Sequence, residues 1–173
     1  MMRKFMGVVM LIGSFVVFGL RIYDGVIISQ NVTGHLKNAA DANSIELAEQ
    51  ELTIALNYLE DNGLTEGYTS VLYDTPKEDI SFWYRNLKAS QEELRTLSSS
   101  SSLEKTNVLM KLRETLVDVG ESTKVTMPRG LGRYPHNGIW AGVTTGALIA
   151  FIWGLVLVLP KEAFQTESGK NKE

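Results

Sequence analysis

The sequence predicts an all-α membrane protein: two transmembrane helices flanking an extramembrane antiparallel helical hairpin or bundle. Three observations carry this expectation. Residues 5–20 and 138–159 hold no charged side chain. The chain between them repeats its apolar residues at steps of three and four. Where that repeat breaks, the residues are those that start and stop helices.

The average composition hides this split. Hydrophobic residues make up 44% of the chain and mean hydropathy is −0.03, because apolar ends and a polar middle cancel. From Arg21 to His136 there are 12 Lys/Arg and 17 Asp/Glu, a net charge of −5. Such a segment is a poor partner for nucleic acid or an anionic membrane face, so no nucleic-acid partner is expected. Cysteine is absent. That excludes disulfides, thiolate zinc sites, iron–sulfur clusters and thiol catalysis.

The first span, "FMGVVMLIGSFVVFGL", follows the basic pair Arg3–Lys4. A cleaved signal peptide is the rival reading. The flank "RIYDGVIIS" puts a charge directly after Leu20, offers no small-residue pair for cleavage, and resumes apolar character at Ile22 and Val26. Residues 1–24 therefore read as an uncleaved anchor whose helix continues outward. Arg21 and Asp24 are spaced to pair on one helix face.

Residues 25–62 read as one long amphipathic helix. Ile45, Ala48, Leu52, Ala55 and Leu59 form its buried stripe, and Glu46, Gln50, Thr53, Asn57 and Glu60 lie opposite. Asn62–Gly63 is the stop. "TPKE" then reads as a helix start, with Thr75 as cap and Pro76 in the first position. Ile80, Trp83, Tyr84, Leu87, Leu94 and Leu97 give the next stripe. Leu109, Leu112, Leu116 and Val119 give another, ended by Gly120.

Five serines, 98–102, separate these two stripes. They read either as a linker or as a weak stretch of continuous helix. A helix over 25–62 rises ~57 Å, and a fused helix over 76–120 returns ~67 Å, so continuity brings the chain back to its start. The expected form is therefore a long hairpin, which buries too little alone and calls for a second copy or another subunit. Residues 121–137, with Pro128, Gly130, Gly132 and Pro135, read as irregular chain.

The order of span, helical domain and span resembles the layout of the sensory bundle of bacterial chemoreceptors. The likeness is of layout, and no shared motif carries it.

The second span, residues 137–160, gives 21 uncharged residues from Ile139 to Leu159, against the ~20 a bilayer core requires. Gly138, Gly142, Gly146, Ala150 and Gly154 fall at every fourth position. In lipid this spacing permits close helix packing, either on another subunit or on Gly7 and Ser14 of the first span. The tail, 161–173, holds Lys161, Lys170 and Lys172. With Arg3 and Lys4, these favour cytoplasmic termini and a periplasmic domain in an inner membrane; the rival is the inverted topology, with the domain in the cytoplasm.

Chemistry is sparse. His35 and His136 are the only histidines, and without cysteine support no metal or cofactor is expected. No phosphate loop, nucleophile elbow or dinucleotide fingerprint occurs. The carboxylates have the spacing of solvated helix faces. No enzyme is expected. The distinctive feature is the run Phe82, Trp83, Tyr84, Arg85. Three consecutive aromatics point around ~200° of a helix, so they cannot share one core; they read first as packing of the domain tip against the loop 64–75, and otherwise as candidates for contact with a partner or ligand.

The expected function is accordingly that of a non-enzymatic assembly or adaptor module. Its partners are the lipid bilayer and either further copies of itself or another membrane-protein subunit. The alternative is a periplasmic sensory bundle that binds a ligand or stress cue and signals through a separate protein. The short tail, with no room for an effector, favours the first.

Overall fold

The computed structural model describes residues 1–71, 74–97, 101–119, 123–132 and 138–160. The chain divides into two compact units, one of Met1–Tyr23 with Gly138–Glu173 and one of Asp24–Asn137.

The first unit consists of α1 (Met2–Ile28) up to Tyr23, and α6 (Gly138–Val158). Both helices are long and apolar enough to cross a membrane. Only 11% and 6% of their most apolar windows are buried in protein, whereas the core helix of a soluble domain is mostly covered. They pack antiparallel: Gly7 lies against Gly154 and Ser14 against Ala147. On α1 the covered positions are Gly7, Met10, Leu11, Ser14, Val17 and Phe18; on α6 they are Thr144, Ala147, Ala150, Phe151 and Gly154. Both rows step by three and four, the mark of a shared helical seam. Large side chains such as Phe5, Ile12, Val16, Ile149 and Ile152 point away from it.

Gly7 and Gly154 are what bring the helices together. A Cβ on Gly154 would stand 2.9 Å from Leu11 Cγ and 3.0 Å from the Gly7 carbonyl oxygen. Ser14, 2% exposed, resolves its own burial by donating to both Met10 O and Ala147 O at 2.8 Å.

In the second unit the first helix continues unbroken through a π-turn, Ser29–Thr33, into α2 (Gly34–Ala40). Asn31 Nδ2 donates to Ile27 O across the widened turn. α3 (Ile45–Asp61), α4 (Ile80–Thr96) and α5 (Ser102–Leu116) complete a set of four. α2 packs on α3, α3 on α4, α4 on α5, and α5 returns to α2, so the ring closes. Directions alternate: Glu49–Arg95, Thr53–Gln91 and Glu60–Tyr84 run in opposite order along α3 and α4, and Glu93 meets Lys111 across α4 and α5. The centre is Val32, Leu36, Leu52, Leu56, Leu59, Ile80, Leu87, Leu94 and Leu116, each at most 1% exposed. Among the described residues this is an up-and-down bundle built within one chain.

Several sequence expectations change here. Residues 25–62 are not one helix: the chain turns at Asp41 and restarts at Ser44, whose extended backbone and Oγ cap the N–H of Leu47 at 3.2 Å. The fused helix over 76–120 is likewise absent. α4 ends at Leu97, and Ser101, extended, caps α5 through Glu104 N; Ser98–Ser100 lie outside the described residues. Pro76 opens only a 3₁₀ turn, Pro76–Glu78, and Asp79 is the cap of α4, accepting from Phe82 N at 3.0 Å. Thr75 donates instead to Glu78 Oε2.

The stripe assigned to Val119 also ends early. β1 (Val117–Val119) pairs antiparallel with β2 (Thr123–Val125), Asp118 standing opposite Lys124. Part of the expected irregular stretch is therefore strand. The four helices share one core within a single chain.

Candidate functional site

The second unit carries an open cleft of about 920 Å³. Three separate stretches of sequence build it. The first is the 3₁₀ turn with the opening of α4, the second is the end of α5 with β1, and the third is residues 124–131. Its volume lies within the ~300–1,000 Å³ typical of small-molecule sites.

The aromatic run divides as helix geometry requires. Trp83 turns inward at 8% exposed and donates Nε1–H to Thr126 O at 2.8 Å, tying the chain after β2 to α4. Phe82, one position earlier, is 55% exposed and lines the cleft. Tyr84 faces α3 and donates to Glu60 Oε1 at 2.6 Å, and Arg85 folds back on Ser81 O. Phe82 and Trp83 thus meet at the cleft, while Tyr84 and Arg85 are not among its lining residues. Sequence reading missed the other wall. Its local signal was the alternation Val117-Asp118-Val119 and Thr123-Lys124-Val125, too short to separate from noise.

That wall is fastened in three places. Besides the Trp83 bond, Thr126 N donates to Leu116 O at 2.8 Å, and Thr33 Oγ1 contacts Met127 Sδ at 3.4 Å. Gly130 turns the chain with φ +74°, a conformation that a side chain disfavours. Gly132 passes so close to Asp24 that an added Cβ would stand 2.6 Å from Oδ2.

The cleft's charges are unevenly engaged. Glu78 accepts from Thr75, Asp79 caps α4, and Asp118 stands across the ladder from Lys124. Lys77 and Arg129, which also line the cleft, have neither an ion pair nor a side-chain hydrogen bond among the described residues.

Beyond the cleft, Tyr84 is the most perturbed group. Burial, then its bond to Glu60, pushes its phenol from 10.0 up to about 12. Glu60 is held below the usual carboxylate range by Lys88 and then by Tyr84. The raised phenol favours the neutral form in the fold, so its contribution is complete below pH 10.0 and disappears as pH rises through about 12. Ultraviolet titration of tyrosinate should show one late-ionising tyrosine in the folded protein, missing in Tyr84→Phe.

His35 Nδ1 lies 2.6 Å from Glu51 Oε2; His136 falls outside the described residues. Among the described residues no three His, Asp or Glu gather as a metal site.

Of the five small residues on α6, Gly154 packs on α1 and Ala150 is half-buried at the same seam. Gly138, Gly142 and Gly146 have nothing within 4 Å of where a Cβ would stand. The α1 residues that meet α6 include Gly7 and Ser14.

Comparison with protein-family models, curated proteins and solved structures finds no match to this chain.

Proposed function

We propose that this chain is a non-enzymatic membrane-anchored recognition module. Two spans hold it in the cytoplasmic membrane. The Asp24–Asn137 unit projects on the outer side and receives a small ligand in its cleft. The observation that carries this reading is the cleft itself: three sequence-distant segments converge around an aromatic ring left open on a bundle that already has its core. Rigid elements supporting a concave apolar surface are the usual setting of a ligand site. On this reading the sensory alternative is preferred to a purely structural adaptor, with any output passing through a separate protein.

The test uses the full chain in lipid nanodiscs against a panel of small organic molecules of both charges. At least one compound should raise the melting midpoint, and Phe82→Asp should abolish that shift. A panel that leaves the midpoint unmoved, or a shift that survives Phe82→Asp, would remove the cleft as the site.

A second reading, assembly through α6, is favoured by the open Gly138, Gly142 and Gly146 positions. Close packing on another helix is what such a face permits in lipid. The two readings are compatible, since they use different units.

A further inference from the structure

We infer that the ligand taken by this cleft is an aromatic anion, a flat apolar ring bearing a carboxylate or an equivalent acid. This rests on the recognition reading above and adds the chemistry of the occupant.

The ring requirement comes from Phe82. Phe82 is 55% exposed at the cleft and pairs with no other ring among the described residues, while its neighbour Trp83 is fixed by its bond to Thr126 O. Offset or edge-on pairing with a ligand ring contributes beyond the area buried, which a saturated chain does not match. Pro76 and Met127 add apolar lining of modest depth. A planar group fits such an open groove better than a bulky one.

The charge requirement comes from the uneven engagement of the lining. Formal charge over the six ionisable lining residues is balanced, but the balance is not uniform. Two of the three carboxylates already accept a hydrogen bond from the protein, Glu78 from the Thr75 hydroxyl and Asp79 from the Phe82 amide, and Asp118 stands in register with Lys124 across the ladder. Asp79 further offsets the positive end of the α4 dipole. Lys77 and Arg129 have no counterpart among the described residues. An incoming anion gains charge-assisted bonds from them without breaking a bond made among the described residues. An incoming cation would have to compete with the Thr75 hydroxyl and the Phe82 amide at Glu78 and Asp79.

Isothermal titration of the full chain in nanodiscs, with empty nanodiscs subtracted, tests this with three probes of one ring: 2-naphthoate, 2-naphthamide and 2-naphthylmethylammonium. The expected result is saturable binding of 2-naphthoate at one site per chain, with the amide and the cation weaker by about tenfold or more. The double variant Lys77→Gln, Arg129→Gln should weaken 2-naphthoate by a similar factor and leave the amide unchanged. Both residues are exposed, so the fold should survive, as far-ultraviolet dichroism would verify. Equal binding of all three probes, abolished by Phe82→Asp, would overturn the anion assignment and leave the recognition reading standing. Binding that ignores both sets of substitutions would overturn both, and no binding of any probe would overturn the aromatic assignment.

Discussion

Trp83→Ala should lower the unfolding free energy of the bundle by about 3–5 kcal/mol, the range for deleting a buried tryptophan. The side chain is 8% exposed and packs with the core cluster. It also carries the Nε1–H bond to Thr126 O, so its loss leaves a carbonyl without that donor. Trp83→Phe separates the two effects: most of the apolar contact stays, the bond goes, and the cost should fall to about 1 kcal/mol. Chemical denaturation followed by circular dichroism measures both. Equal stability of Trp83→Ala and the parent would mean that the residue does not link α4 to the chain after β2.

The second large effect concerns the two faces of α6. Gly154→Leu places a side chain where even a Cβ would meet Leu11 and the Gly7 carbonyl at 2.9–3.1 Å. The backbone cannot yield cheaply there, so the α1–α6 pair should separate. The chain has no cysteine, which makes disulfide trapping clean. Ser14→Cys with Ala147→Cys should cross-link within one chain, since Ser14 Oγ lies 2.8 Å from Ala147 O. Adding Gly154→Leu should abolish most of that cross-link. Adding Gly142→Leu and Gly146→Leu instead should preserve it, because nothing lies within 4 Å at those positions. If those two substitutions convert an oligomer to a monomer in mild detergent, α6 is also an assembly surface. If the oligomeric state is unchanged, that second reading fails.

What could be read from the sequence follows from the range over which each signal acts. Apolar runs are local, so both long apolar helices were legible, the second with its length. The stripe Ile45, Ala48, Leu52, Ala55, Leu59 was legible too, and all five are buried. The break before it was not. The run Asp41-Ala42-Asn43-Ser44 carries cap chemistry, but Leu36 and the alanines at 39 and 40 prolong the apolar pattern up to it. One missed turn then propagated. Fusion of α4 and α5 is required only where the outgoing helix has the full 25–62 length. Once the chain folds back at Asp41, no such return is needed, and the serines at 101 and 102 can open a separate helix. The cleft was illegible for a different reason. It depends on Trp83 meeting Thr126, 43 residues away, and no local pattern records that distance.

The walls of the cleft also differ in how they are held. One is the start of α4, continuous with a core that opens only when the whole bundle unfolds. The other is a ribbon of two three-residue strands, held by the Trp83, Leu116 and Thr33 contacts and by Val117 and Leu131, which reach the core cluster. With fewer core residues than the helices, the ribbon should open at a lower free energy than the whole bundle, and its amide protons should exchange first. Under the recognition reading, the dwell time of an occupant should then respond to substitution at Met127 while the rate of global unfolding stays where the helices set it.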